Sequence, residues 1–475
     1  MILKEKIKEE PGLQYIVDEL NIMSAVGRRQ LLEQESMHQA EAIEAELNRI
    51  ETIVRVLGDP TKKRAVSDLR HQHMQLHDIA TTIRNLEHHF VLEEVEMFEI
   101  KQLANLCSIT RRVAAELYIG ELLGIPDLSA VFQLLDPDHT GVPNFYIYDS
   151  YDSRLTPLRR ELKSLNPSDE AAGQRIGELY AQQEGIQQEV LLRLSDQLFP
   201  YVGLIGKALQ QMAYSDILFA KAMQVIEQAL CRPQVGQVQG STRYKQLFNP
   251  RLLQRNKELK LRYQPVDIEI RPGTCLITGA NMAGKTVLLK TIATAQLMVQ
   301  FGMFVPAEEA SIGLVDDVLL CIGDEQNEMN GLSSFASEII KISNTVQRSQ
   351  KERLLILIDE PARTTNPIEG KAIVQSISDI LNGRDSFTLI TTHYSHLGLD
   401  CRRLRVRGFD ETLSQLPLSD KTINQFMDYS LMEEQDEQVP QEALRIATIL
   451  GCDAEMIMHA KKYLEETSKN TTHER

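Results

Sequence analysis

Residues 279–286, Gly279-Ala280-Asn281-Met282-Ala283-Gly284-Lys285-Thr286, fit the pattern G-x-x-x-x-G-K-[ST] in full. They come directly after an apolar run, 274–278 (TCLIT), and lead into a stretch of helical periodicity. That strand-to-helix context is what the pattern needs in order to bind phosphate. The glycines let backbone N–H groups turn towards phosphate oxygens, and the helix N-terminus adds the positive end of its dipole. Lys285 would reach the β- and γ-phosphates of ATP, and the Thr286 hydroxyl would ligate Mg²⁺. All eight residues are expected to line the nucleotide phosphates.

A second apolar run, 354–358 (LLILI), delivers Asp359 and Glu360 to the end of a strand. Asp359 would hold the metal together with Thr286, directly or through water. Glu360 would orient and deprotonate a water molecule attacking the γ-phosphate. A strand followed by Asp-Glu says little alone; a phosphate loop upstream gives it meaning. A third run, 387–391 (FTLIT), is followed by Thr392-His393. A histidine just past a buried strand can be a plain surface group. At the same sheet edge as the phosphate loop, His393 is expected to contact the γ-phosphate. Lys285, Glu360 and His393 form the expected catalytic set.

These residues need a scaffold. Near-continuous apolar runs of this length read as strands buried on both faces of a mostly parallel sheet. Helical segments lie between them at about 285–301, 333–349 and 368–382, which makes an α/β domain. The first 240 residues have a different pattern and read as almost entirely helical. Residues 28–57 contain neither Gly nor Pro, and Ile43, Leu47, Ile50, Val54 and Leu57 recur at coiled-coil spacing. Further helical patterns cover about 61–89, 92–105, 109–122, 155–195 and 203–230, with a polar loop at 135–153. Composition shifts at 232–242. In the tail, Pro440 suits a first helical position and Gly451 a cap, and a second helix from Asp453 puts Ile457, Ala460 and Leu464 on one face. The expected division is a helical arm over 1–240, an α/β domain over 241–427 and a helical tail over 428–475.

Bulk properties narrow the class. A chain of 475 residues is too long for one core, and 43% hydrophobic with 25% charged residues excludes a disordered chain. No apolar run reaches 18 residues, so no membrane contact is expected. The start, Met1-Ile2-Leu3-Lys4-Glu5-Lys6, lacks the apolar stretch of a secretory leader, and a cytoplasmic location is expected. The net charge is −16, and residues 1–240 hold 24 basic against 35 acidic side chains. Proteins that grip duplex DNA usually carry a basic excess, so this balance weighs against DNA without excluding a local basic stripe. The six cysteines form no CxxC pair and read as reduced. His71, His73, His77, His88 and His89 cluster, but no third ligand accompanies the His73/His77 pair, and a solvated helix face is expected.

The run GANMAGKT resembles the phosphate loop of the MutS family of mismatch-repair ATPases. Phe304-Val305-Pro306-Ala307 resembles that family's short motif after the first helix. Gly331-Leu332-Ser333-Ser334-Phe335 with Glu338 resembles its signature loop, Asp359-Glu360 with Arg363 and Gly370 its Walker-B segment, and Thr392-His393-Tyr394 its switch histidine motif. The tail from Ala443 to Leu464 is similar to its C-terminal helical pair. The resemblance implies an ABC-like P-loop ATPase domain with a long N-terminal α-helical lever and a C-terminal helical tail that holds a homodimer. It further implies composite ATP sites, with Ser333 of one subunit capping the γ-phosphate of the other and His393 sensing it.

The chain also departs from that pattern. The only Phe-x-Glu is Phe409-Asp410-Glu411, after the ATPase motifs, so the mismatch-reading wedge is missing. No nuclease-like extension is expected after the tail. Ala280 and Ala283 replace the family's usual Pro and Gly. The run Arg363-Thr364-Thr365-Asn366-Pro367 resembles MutS-related ATPases associated with cobalamin-dependent amino-acid aminomutases. Two clients therefore stay open: DNA, held by a mismatch-repair-like or recombination-related clamp, or a metabolic enzyme reactivated without DNA binding.

Overall fold

In the computed structural model the three apolar runs are neighbouring strands of one sheet. The structure describes every residue except 166–169, 237–239, 280–283, 323–333, 395–396, 410–426, 435–443, 445–446, 449–450 and 473–475. Ten strands are described: β1 (Gln234–Val235), β2 (Thr242–Leu247), β3 (Val266–Ile270), β4 (Gly273–Thr278), β5 (Glu309–Ile312), β6 (Asp317–Ile322), β7 (Leu354–Asp359), β8 (Phe387–Thr391), β9 (Arg402–Phe409) and β10 (Met427–Glu433). Six form a sheet in the order β10-β9-β4-β8-β7-β6. Its pairs from β9 to β6 are parallel, and β10 adds an antiparallel edge.

The register sets the site. Thr391 lies opposite both Ile277 and Asp359, so three strands end level with one another. The sheet is covered by the helices Pro367–Asn382 and Ser334–Arg348, whose Val374, Ile377, Leu381 and Ile342 pack on Leu276, Leu354, Ile356, Ile358 and Ile390. Each such side chain contributes about 1.5–3 kcal/mol by leaving water. The helix Lys285–Gln300 starts where the phosphate loop ends and is buried nearly all round. A second sheet, order β1-β5-β2-β3, has no counterpart in the sequence reading. Its strands are short and only half-buried, so they lack the apolar runs that mark β7 and β8.

The chain forms two compact units. One comprises Met1–Glu19, Glu35–Leu47 and Val225–Arg475; the other comprises Leu20–Gln34 and Asn48–Gln224. This line differs from the expected one at residue 240, because two N-terminal segments join the α/β unit. Lys6 pairs with Asp317 of β6 at 3.0 Å. Helix Pro11–Asp18 lies so close to Lys285–Gln300 that a Cβ on Gly12 would come within 2.3 Å of the Thr294 hydroxyl. Ser36 donates its N–H to Met1 O at 2.8 Å and Met37 donates to Gln300 O at 2.7 Å. Those backbone bonds interrupt the helix expected over 28–57, which is two helices, Ala25–Leu32 and Ala40–Leu57. In the second helix Ile53 and Val56 are buried, while Val54 and Leu57 are only partly so; the buried stripe leaves the heptad after Ile50. The tail helix Ala454–Thr472 buries Ile457 as expected; most of its expected partner helix lies outside the described residues.

The other unit is helical. The two helices expected over 92–122 are one, Glu94–Glu116, begun by a capping box between Glu93 and Glu96. The loop over 135–153 is fixed by a buried lysine: Lys101 Nζ donates to Asp136 at 3.1 Å and to Asn144 O at 2.9 Å. Asp216 is fully buried and accepts from Met23 N–H, Ser24 N–H and the Ser24 hydroxyl, at 2.8–3.1 Å. His73 is also fully buried, with Nε2 3.0 Å from Ser215 Oγ and Nδ1 3.6 Å from Asp216. The solvated-face expectation therefore fails for His73, whose helix Lys63–Met74 turns that position into the core.

Burial holds the His73 pKa down at about 4, against the pull of Asp216. The imidazole is neutral in the folded chain and takes a proton near pH 6.5 once unfolded. Stability is thus lost as pH falls from 6.5 towards 4. The thermal midpoint should fall between pH 7 and pH 5 in the wild type, and fall less in His73→Asn. Equal pH slopes in calorimetry would show that His73 does not carry this dependence.

Candidate functional site

Gly284 precedes the helix Lys285–Gln300 with φ +74°, and Gly279 leaves β4 with φ +139°. Both conformations are open to glycine and costly for other residues. They put Lys285 at the first helical position, where its side chain is 3% exposed. Its Nζ donates to Gly279 O at 2.7 Å and lies 3.2 Å from Glu360 Oε1. The Thr286 hydroxyl donates to one oxygen of Asp359 at 2.6 Å. The Thr391 hydroxyl donates to the other, also at 2.6 Å. Thr391 Oγ1 in turn accepts from Glu360 N–H at 2.9 Å. Lys285, Thr286, Asp359 and Glu360 therefore converge at one sheet edge.

Glu360 also meets Arg363, Nη1 to Oε2 at 3.4 Å. His393 lies two residues past β8, and its ring stacks at a tilt on Tyr394 with centroids 4.3 Å apart. Partial burial lowers its pKa, with Lys285 and Arg363 adding to the effect and Glu360 opposing it. The ring is thus neutral at pH 7 and able to accept or donate one hydrogen bond. Ala280, Asn281, Met282, Ala283 and Ser333 lie outside the described residues.

Sequence reasoning passed over two features. Thr391 appears there only as the end of a strand, yet its hydroxyl joins both carboxylate residues. Tyr429 of β10 lies against Gly284, 3.2 Å from where a Cβ would stand. Together with Tyr263, Leu252, Leu261 and Val287 it lines a cavity of about 390 Å³ beside the phosphate loop. From its place upstream of the loop Tyr263, whose hydroxyl accepts from Asn249 N–H at 2.6 Å, reads either as an aromatic to stack on adenine or as a packed strand aromatic; no spacing marks Tyr429. Glu338, which the resemblance places with the signature loop, accepts from Ala362 N–H at 3.3 Å.

A metal ion fits the donor set. One hydroxyl and one carboxylate oxygen 2.6 Å apart offer the sparse oxygen ligation Mg²⁺ takes beside phosphate and water. Among the described residues no group of three or more His, Cys, Asp or Glu side chains could hold a metal, so the histidines make no such site. No helix among them is long and apolar enough to cross a membrane.

The comparisons with known proteins fall on this unit. Residues 275–468 match the family model MutS domain V. The match identifies this stretch, about two fifths of the chain, as a MutS-type domain. It is 36% identical over 213 residues to Endonuclease MutS2 of Caldanaerobacter subterraneus, covering 44% of this chain and 26% of that protein. It is 30% identical over 289 residues to Endonuclease MutS2 of Ligilactobacillus salivarius, covering 59% of this chain and 34% of the relative. In Lactobacillus helveticus the identity is 46% over 127 residues, 26% of this chain and 16% of the relative. The chain thus spans about a third or less of the length of these relatives. The reported relatives lend no support to the aminomutase association.

Thr391→Val tests the hydroxyl bridge. It keeps the shape and takes a hydroxyl donor from Asp359, which costs about 1–3 kcal/mol, while Glu360 N–H keeps the Thr391 carbonyl at 3.2 Å. The control is Thr388→Val on the same strand. Thr388 is fully buried and its hydroxyl has no partner among the described residues, so its loss should be neutral or stabilising. Equal midpoints in denaturant for the two variants would show that the Thr391 bridge contributes nothing.

Proposed function

We propose that the chain is a Mg²⁺-dependent MutS-type ATPase that works as a homodimer and acts on DNA as a clamp. The observation that carries the reading is the meeting of Lys285, Thr286, Asp359 and Glu360 at the end of a parallel sheet. Support for DNA comes from the domain match and from relatives whose printed name is endonuclease. The overall charge of −16 gives DNA no general attraction, so contact would depend on local basic residues.

The reaction is ATP plus water to ADP plus phosphate. Gly279, the following loop and Gly284 receive the phosphates on backbone N–H groups, and Lys285 exchanges Glu360 for phosphate oxygens. Thr286 and Asp359 would hold Mg²⁺, which when bound neutralises charge on the β- and γ-phosphates. Glu360, released from Lys285, takes a proton from the attacking water as the water oxygen bonds to the γ-phosphorus. The bond from that phosphorus to the bridging oxygen breaks, and ADP leaves. Neutral His393 donates to a γ-phosphate oxygen. The cavity between Tyr263 and Tyr429 takes the base. Ser333 of the partner subunit caps the γ-phosphate, so ATP binds the two domains together and hydrolysis frees them. The helical unit converts this cycle into grip and release, in the cytoplasm.

Two outcomes check the chemistry. Lys285→Ala should abolish hydrolysis and weaken ATP binding in a folded chain. Glu360→Gln should bind ATP, elute as a dimer and turn over about 10²–10⁴-fold more slowly, the usual cost of losing a general base. Wild-type single-turnover rates in both variants would refute the assignment.

The client is tested by salt. If the protein holds duplex DNA through Z phosphates, log K should fall against log salt with a slope of about −0.9Z. Binding that is flat between 50 and 200 mM salt, or no binding at all in the ATP-bound state, would sink the DNA reading and leave the ATPase reading standing.

A further inference from the structure

Four residues beside Glu360 have no part in the steps above: Glu338, Ala362, Gly370 and Tyr394. The turn after β7 is left-handed twice, with φ +45° at Glu360 and +60° at Ala362. Side-chain-bearing residues pay about 1–2 kcal/mol for that region, so the surroundings must hold the turn there. Ala362 is fully buried, and its peptide groups are gripped from two directions. Its N–H donates to Glu338 Oε1 at 3.3 Å. Its C=O accepts from the Tyr394 hydroxyl at 3.1 Å and from Thr365 N–H at 3.4 Å.

Gly370, on the helix Pro367–Asn382, makes the second grip possible. A Cβ there would stand 2.2 Å from the Tyr394 hydroxyl oxygen and 3.0 Å from Ala362 O. Any larger residue would push the tyrosine off the carbonyl. The two grips also come from informative places. Glu338 belongs to the helix Ser334–Arg348, which begins directly after Ser333. Tyr394 follows His393.

We propose that Glu338 and Tyr394 are positioning residues: they clamp the two sides of Ala362 and thereby aim the Glu360 carboxylate at the attacking water. The proposal rests on the ATPase reading. Its physical reason lies in what remains when nucleotide arrives. Lys285 and Arg363 both pair with the Glu360 carboxylate. Once Lys285 turns to phosphate, the base is fixed by its backbone, through Thr391 on one side and the clamped turn on the other.

The test uses the full chain and compares Tyr394→Phe, Glu338→Ala, Glu338→Gln, the double variant Glu338→Ala/Tyr394→Phe, and Lys285→Ala. Tyr394→Phe keeps the ring in the core, and thermal melts verify folding. Tyr394→Phe and Glu338→Ala should each lower kcat about two- to tenfold, the rate equivalent of one lost hydrogen bond, with KM unchanged. Glu338→Gln should keep the wild-type rate, because its amide oxygen still accepts from Ala362. The double variant should be little slower than the worse single, since both side chains act on one turn. Wild-type kcat in Tyr394→Phe and Glu338→Ala, or a raised KM with kcat intact, overturns the clamp while a dead Lys285→Ala keeps the ATPase reading. Wild-type turnover by Lys285→Ala would fell the ATPase reading, and the clamp's catalytic role with it.

Discussion

Asp359 ends a strand buried on both faces, and each of its carboxylate oxygens accepts a hydroxyl, from Thr286 and from Thr391, at 2.6 Å. These hydrogen bonds join three elements that are far apart in sequence: the helix after the phosphate loop, β7 and β8. They are charge-assisted, and such bonds are roughly twice as strong as neutral ones. They also explain the parallel sheet. Only parallel strands with level C-terminal ends can bring a helix start, an Asp-Glu pair and a threonine to one edge, and the register of Thr391 opposite both Ile277 and Asp359 does this. The apolar interior of β4, β7 and β8 fixes that register, because the strands lie beneath two covering helices.

The N-terminal segments belong to the same mechanical account. Lys285–Gln300 carries two of the site residues and is buried nearly all round. Part of its cover comes from Pro11–Asp18, at a contact close enough to require Gly12. The first residues of the chain are therefore structural partners of the phosphate-binding helix, although they precede it by more than 250 positions.

Legibility followed the kind of signal involved. β4, β7, β8 and the tail face of Ile457 were readable because each is a local pattern: an apolar run or a helical stripe. Helix bounds for 285–301, 333–349 and 368–382 came within a residue or so of those observed. What failed was what only tertiary contacts decide. No residue type marks the break near Ser36; backbone bonds to Met1 and Gln300 make it. His73 looks like its exposed neighbour His71 and is buried because of where its helix packs. Tyr429 reaches Gly284 from a strand some 145 residues later, and no spacing rule could pair them.

The Lys285–Glu360 pair has an electrostatic logic of its own. Lys285 is 3% exposed and Glu360 12%, so two opposite charges are held almost out of water. Removing one partner of such a pair strands the other and costs about 3–5 kcal/mol. The pair is stable only while each has a counter-charge. A triphosphate supplies one for Lys285, whereas Glu360 keeps Arg363, whose exposed side chain holds it loosely at 3.4 Å. In the proposed reaction Lys285 therefore exchanges one counter-charge for another while Glu360 is left to Arg363 alone. The same ion pair joins the start of the helix Lys285–Gln300 to the end of β7, so the residues proposed to carry the chemistry also hold this sheet edge together.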